Sequence, residues 1–270
     1  MNAVRKAADL RHMIGMARAP SSGFGTNLFL TDAATERLAS TGSLFAREFE
    51  GAVIVLRREP CFDRLYYAAA DLGRLESALA QLDLTAGGVL VSDLVGRKDE
   101  VAPWAAAFTN AGFSNSTTIL RMQRAQAGQA PAADTDSGVE VARAGDAEQI
   151  HAALLANFDV YIDQLPPLEE TREAAASGTI LLLRDGSRMA ALLYYDRAGL
   201  STRFRYWLVL PEYRTKGYGD RLIRRYFHDC AECRRFLLWV HESNSRAIPI
   251  YRWYGYKADS IVDVVFIKRQ

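Results

Sequence analysis

Two rhythms of apolar and polar positions run along this chain, and the second half carries the clearer record. Residues 139–142 read as a short strand. Asp146, with Gln149 three residues on, reads as a capping box that opens a helix through Ile150, Ala153, Leu154 and Phe158. Pro166-Pro167 breaks the pattern, and residues 168–176 start another helix. Strands follow at 179–184 and 188–196 with the turn pair Asp185-Gly186 between them, then a third at 201–210. That run stops at Pro211, a glycine-containing turn follows, and a helical period begins at once. A further strand at 236–241, a short helix and a strand at 261–267 complete the order.

The first half is built from similar pieces. A helix is predicted within 2–17, a loop at Pro20-Ser-Ser-Gly-Phe-Gly25 and a helix start at Thr31. Strands at 44–50 and 52–57 flank Gly51, and a third at 64–69 runs into a helix over 71–82. A strand at 88–92 and a helix over 100–111 end at Gly112-Phe113, before a strand reaching Met122. Ala111-Gly112-Phe113 and its strand parallel Tyr254-Gly255-Tyr256 and the strand at 261–267. Residues 123–138 have neither period nor large apolar side chains, the composition of a linker. The expected division is 1–124 as an N-terminal α/β domain, 125–137 as linker, and 138–270 as a second domain. The expected class is α+β with mixed sheets.

Composition narrows the choices. In 270 residues, 49% hydrophobic and 24% charged content is enough to bury a real core, and a net charge of +1 gives no broad field for nucleic acid or an anionic membrane. No 18-residue apolar run occurs, and no apolar stretch follows Arg5, Lys6 and Arg11 as a secretory signal requires; the expected location is cytoplasmic. Three cysteines make no disulfide framework. Cys230-x-x-Cys233 has His228 and His241 nearby, which allows a zinc or redox reading. However, Leu222, Ile223, Tyr226, Phe227, Cys230 and Cys233 form one helical stripe, so packing is expected and no metal.

The chemistry concentrates at Val209-Leu-Pro211-Glu-Tyr-Arg214-Thr-Lys-Gly217-Tyr-Gly219. A strand, a glycine turn and a helix start point several backbone N–H groups at one place, where the helix adds roughly half a positive charge. Arg214 and Lys216 add whole ones. Downstream comes Asn244-Ser-Arg-Ala247-Ile-Pro-Ile-Tyr251-Arg-Trp-Tyr-Gly255-Tyr256. Together these resemble the two motifs of the GCN5-related N-acetyltransferase (GNAT) superfamily. Val209, Pro211, Arg214, Gly217 and Gly219 match the acyl-CoA motif; Asn244, Ala247, Tyr251, Gly255 and Tyr256 match the later one. The N-terminal half lacks the Arg-x-x-Gly-x-Gly turn, with Asp71-Leu-Gly73-Arg74 its nearest counterpart, and reads as a degenerate GNAT-like repeat in a tandem arrangement.

The resemblance implies an acetyl-CoA-dependent transferase with the GNAT fold in its C-terminal half, acting on a small-molecule or peptide amine. Coenzyme A would lie along Leu208, Val209 and Leu210. Its pyrophosphate would sit on the turn Arg214, Thr215, Lys216, Gly217, Tyr218, Gly219 and Asp220, and Asn244, Ala247 and Tyr251 would border it. Tyr251 holds the general-acid position. Where histone-type members carry a glutamate base this chain has Arg203, so Glu242, beside His241 at the next strand end, is the candidate base. Arg203 and Arg205 share a strand face and, with Tyr161, are candidates for acceptor binding; two guanidiniums favour an acceptor carrying a carboxylate or phosphate. Trp207, Trp239 and Trp253 are candidates to bound the acyl pocket. The alternatives are a longer acyl-CoA or acyl carrier protein as donor, or a CoA-binding module without catalysis.

Overall fold

A computed structural model describes residues 1–18, 23–82, 88–125 and 138–269. The expected linker, apart from Ala125 at the end of a strand, lies outside these residues. The fold is mixed α/β, and the chain divides into two compact units. The first comprises Met1–Leu120, His241–Ser243 and Ser260–Gln270; the second comprises Arg121–Val240 and Asn244–Asp259.

The first unit opens with β1 (Asn2–Ala3), α1 (Ala7–Arg18), β2 (Gly25–Thr26) and α2 (Asp32–Ser40). The Thr31 hydroxyl accepts the Ala34 amide and so begins α2. An antiparallel meander follows: β3 (Leu44–Phe49), β4 (Ala52–Arg58) and β5 (Asp63–Ala69). Its first turn is permitted by Gly51 at φ +70°. Then come α3 (Leu72–Ala80), β6 (Val89–Arg97), α4 (Lys98–Asn110) and β7 (Ser114–Ala125), the last ending in the second unit. β6 lies parallel to β5. Alternation along the strands sends Ile54, Leu65, Leu90 and Leu94 to one face, where α3 and α4 add Leu75 and Phe108. The opposite face of β3 and β4 packs Leu44, Ala46, Val53 and Val55 under Leu10 and Ala17 of α1.

The second unit repeats that order without a counterpart to β2: β8 (Glu140–Val141), α5 (Ala147–Asn157), α6 (Leu168–Ala176), β9 (Ile180–Asp185), β10 (Arg188–Ala198) and β11 (Ser201–Val209). It continues with α7 (Tyr218–Asp229), β12 (Arg235–His241) and α8 (Ala247–Trp253), before β13 (Lys257–Arg269). β9, β10 and β11 are antiparallel, and β12 is parallel to β11. The duplication extends to single hydrogen bonds. At the end of α4, Phe113 N–H donates to the Phe108 carbonyl and Gly112 N–H to Thr109; at the end of α8, Tyr256 N–H donates to Tyr251 and Gly255 N–H to Arg252. Gly112 and Gly255 both terminate their helix at positive φ, +83° and +86°.

The last strand differs from the sequence-based division, which kept 138–270 together. From Ile261 onward β13 pairs antiparallel with β6, and Phe266 joins Leu90, Leu94 and Phe108 in the core of the first unit. The strand's alternation specifies which face is buried and not which sheet receives it. Cys230 and Cys233 are fully buried; the Cys230 thiol donates to the Thr202 hydroxyl at 3.6 Å, and burial pushes its pKa up to about 11. No described helix is long and apolar enough to cross a membrane. Phe266→Ala is expected to lower stability by about 3–5 kcal/mol in denaturant melts, because its ring is fully buried. A loss below about 1 kcal/mol would mean that β13 adds little to that core.

Candidate active site

β10 hydrogen-bonds one edge of β11 along its whole length, from Ser201 to Val209. β12 takes the other edge only at Ser201, Thr202 and Arg203, and then the two strands diverge. Leu210 N–H donates to the Ala190 carbonyl at 3.0 Å. By antiparallel alternation, Leu208 and Tyr206 therefore also bond toward β10, while Trp207 and Val209 turn their backbone groups into the gap. A bulge assists the divergence: Tyr195 faces Phe204 and Tyr194 faces Tyr206, leaving Arg205 as the extra residue.

The gap ends at the glycine turn. Residues 211–213 make one 3-10 turn behind Pro211, and Thr215 and Gly217 then take positive φ, +73° and +74°. For a β-branched threonine this is strained backbone, of order 1–3 kcal/mol. The two reversals aim the chain so that α7 starts at Tyr218 with Gly217 as its cap and no side chain closing it. Among the described hydrogen bonds, none uses the amides of Lys216, Gly217, Tyr218, Gly219 or Asp220 as donor. A β-carbon on Gly219 would lie 3.0 Å from the Trp207 ring, tighter than ordinary contact, so any larger residue there requires the ring to give way. The Trp207 indole Nε1–H is buried there with no hydrogen-bond partner among the described residues.

The remaining expected residues fall into place unevenly. Tyr251, on α8, is buried against Trp207 and Phe204, with ring centroids at 5.9 and 5.6 Å. Burial raises its phenol well above the usual tyrosine range, and no described group hydrogen-bonds its hydroxyl. Arg214 reaches back toward the Val209 carbonyl at 3.5 Å, and Lys216 toward Asp185 at 3.4 Å; both side chains are exposed. Asn244 accepts the Ala247 amide at 2.9 Å and so starts α8, a capping role for its side chain. Arg203 and Arg205 do share a face, but carboxylates already engage them: Asp196 at 2.5 Å and Glu170 at 2.6 Å. Tyr161 lies in a loop whose own carboxylates, Asp159 and Asp163, accept the amides of Tyr161 and Asp159. Trp253 is 70% exposed. Glu242 is exposed and belongs to the first unit, its amide donating to the Thr118 carbonyl.

Three contributions are not expected from the sequence, although Trp207 itself is, as bulk. Tyr206 donates to the carbonyls of Asp163 and Gln164 and ties that loop to β11. Tyr254 donates to Asp220 at 2.6 Å, joining α8 to the first turn of α7, and Arg224 holds the other oxygen at 2.6 Å. The unpartnered Trp207 N–H is the third. By spacing alone each reads as an ordinary core or surface position; only Asn244 before a helix start could have been recognised as a cap.

Residues 148–256 match the acetyltransferase (GNAT) family. Among solved structures the chain is similar to a GCN5-related N-acetyltransferase from Sphaerobacter thermophilus, with 16% identity, TM-score 0.60, and 81% of this chain and 80% of that one covered. It is also similar to one from Kribbella flavida, at 16%, 0.55, and 84% and 90%. A tandem GNAT protein from the clavulanic acid biosynthesis pathway is similar over 97% of this chain and 96% of that one, at 13% identity and TM-score 0.55. No curated protein is similar to the chain in sequence. These likenesses speak for the fold.

Asp220 supplies a pH test of the site's framework. Burial opposes its charge, but the hydrogen bonds from Arg224 and Tyr254 outweigh this and hold its pKa below the ordinary value of about 3.9. A lowered carboxylate stabilises the fold above its unfolded pKa, and that contribution is lost as pH falls through the folded value. Asp220→Asn should therefore destabilise the protein at pH 7, with the deficit shrinking below about pH 4 in urea melts. An equal deficit at pH 7 and pH 3 would contradict the electrostatic tie.

Proposed function

We propose, from the premise that residues 148–256 make this chain a GNAT-type, acetyl-CoA-dependent acyltransferase, that it acetylates a primary amine of a small molecule or peptide, with Tyr251 serving the departing sulfur. The observation that carries this reading is the coincidence, within one unit, of an unpaired strand edge, an uncapped helix start and a buried phenol. The second unit is proposed as the catalytic lobe.

The donor set fits coenzyme A on the structure's own terms. Backbone groups of Trp207 and Val209 that β12 leaves unladdered can take the amides of a pantetheine arm in strand fashion, the exposed Arg214 side chain giving up the Val209 carbonyl, since leaving a buried backbone group unmade costs about 1–3 kcal/mol. The amides of Lys216 to Asp220, converging at the start of α7, suit a diphosphate. The Trp207 indole N–H, beside Gly219, is a further donor. When bound, acetyl-CoA supplies an activated thioester. The Trp207 amide is placed to polarise an acyl carbonyl lying along β11. Tyr251 stays protonated throughout the physiological range and donates its hydrogen bond toward the sulfur. The amine must arrive neutral. Tyr161 remains a proposed acceptor contact. With Arg203 and Arg205 engaged by Asp196 and Glu170, an acceptor meets a face of balanced charge, and the expected preference for an anionic acceptor loses its main support.

Tyr251→Phe should lower kcat by about a hundredfold or more, while the Kd for coenzyme A measured calorimetrically changes by less than about threefold. Because burial raises this phenol, its ionisation should cut no basic limb into the kcat profile up to about pH 10. Unchanged kcat in the phenylalanine variant would remove Tyr251 from the chemistry. Free-thiol release from acetyl-CoA with a mixed amine library reads out both measurements.

A further inference from the structure

The first unit contains the same divergence of strands, and its own chain fills it. β4 hydrogen-bonds one edge of β5 from Asp63 to Ala69, and β6 takes the other edge only at Asp63 and Arg64. Ala70 N–H donates to the Gly51 carbonyl, so alternation turns the backbone groups of Leu65 and Tyr67 into the gap, as it does for Trp207 and Val209 in the second unit. Here the Tyr67 amide, the Tyr67 carbonyl and the Leu65 carbonyl all have partners. β2 pairs antiparallel with Ala68 and Ala69 on that free edge. Asn27 then donates its amide to the Tyr67 carbonyl at 3.3 Å and accepts the Tyr67 amide on its side chain at 2.6 Å. The Asn27 carboxamide also donates to Ser92 Oγ at 3.1 Å and the Asp93 carbonyl at 2.9 Å, bridging β5 to β6. Asn27 is buried, and the Leu65 carbonyl accepts the Ser92 hydroxyl at 2.9 Å.

The other two parts of the second unit's site are also changed. The start of α3 is closed by its own carboxylate: Asp71 accepts the Arg74 amide at 2.9 Å, where an anion would otherwise bind. The residue that stands to Gly112 and Phe113 as Tyr251 stands to Gly255 and Tyr256 is Phe108, which has no hydroxyl and is fully buried. Trp104 stacks on Tyr67 at 5.4 Å and lies so close to Gly25 that any β-carbon there would fall 2.1 Å from its ring. Glycine at 25 is what lets the segment enter beneath the indole.

We infer that residues 25–27 are an internal substitute for the ligand in the first unit's strand gap, so that this unit takes no acyl-CoA and the chain binds a single one. The second half of the inference rests on the reading of the second unit given above; the first half does not.

Two measurements on the full-length chain separate them. Native-state hydrogen exchange without ligand should find the Tyr67 amide protected on the order of a hundredfold or more beyond the amides of Trp207 and Val209. Comparable exchange at Tyr67 and Trp207 would overturn the plug. Titration calorimetry with coenzyme A should give one site per chain, and Gly219→Glu should remove it. Two sites in the wild type, or a site surviving in Gly219→Glu, would also overturn it. If coenzyme A does not bind at all while Tyr67 remains protected, the plug stands and the acyl-CoA reading of the second unit falls.

Discussion

The site depends on two parallel strands parting after three residues. Once β11 leaves β12 at Arg203, the backbone groups of Trp207 and Val209 have no ladder to join, and buried polar groups are rarely left so. The rest of the arrangement follows from keeping that gap open at its lower end. Pro211 stops the strand, the positive φ of Thr215 and Gly217 turns the chain, and the bare carbon of Gly219 lets α7 begin against Trp207. The outcome is a row of donors fixed before any ligand arrives, which limits the ordering cost of binding. Strain at Thr215 is one contribution against stability that such preorganisation requires.

The framework around the gap is held from outside it. Tyr206 pins the loop after α5 to β11, and Tyr254 with Arg224 pins Asp220, so the first turn of α7 is located by α8 as well as by its own strand. These links are compatible with a carboxylate at the helix start proposed to take an anion. Its two oxygens are turned to Tyr254 and Arg224, leaving the amide, rather than the charge, as the group on offer.

What the sequence made legible was whatever depends on backbone permission. Glycine and proline at 211, 217, 219 and 255 have few other uses, so their spacing announced the turn and the helix ends, and the position of Tyr251 came with them. Element order was readable for the same reason, including the repeated Gly112-Phe113 and Gly255-Tyr256 steps. Pairings between residues distant in sequence were not readable. Arg203 and Arg205 offered two charges in the sequence, and only the fold shows Asp196 and Glu170 already against them. The recruitment of Ile261 to Arg269 by β6 was equally hidden, since alternation along a strand carries no address. The plug was hidden more deeply, because Gly25 and Asn27 read as loop residues until β5 and β6 diverge around them.

Burial at Tyr251 bears on what kind of acid it can be. A phenol raised above its usual value near 10 is a poor match for a thiolate near 8.5, and each unit of mismatch costs about 1.4 kcal/mol in complete proton transfer. Full donation from Tyr251 to sulfur is therefore disfavoured by its burial. A hydrogen bond from the neutral phenol has no such cost and still stabilises charge growing on sulfur in a gap with little water. The proton that finally neutralises the thiolate then has a nearer source in the attacking amine, which must shed one as it becomes an amide. In the role proposed for Tyr251, the hydroxyl would steer and steady the sulfur, and the apolar wall of Phe204 and Trp207 would serve by keeping that hydroxyl protonated.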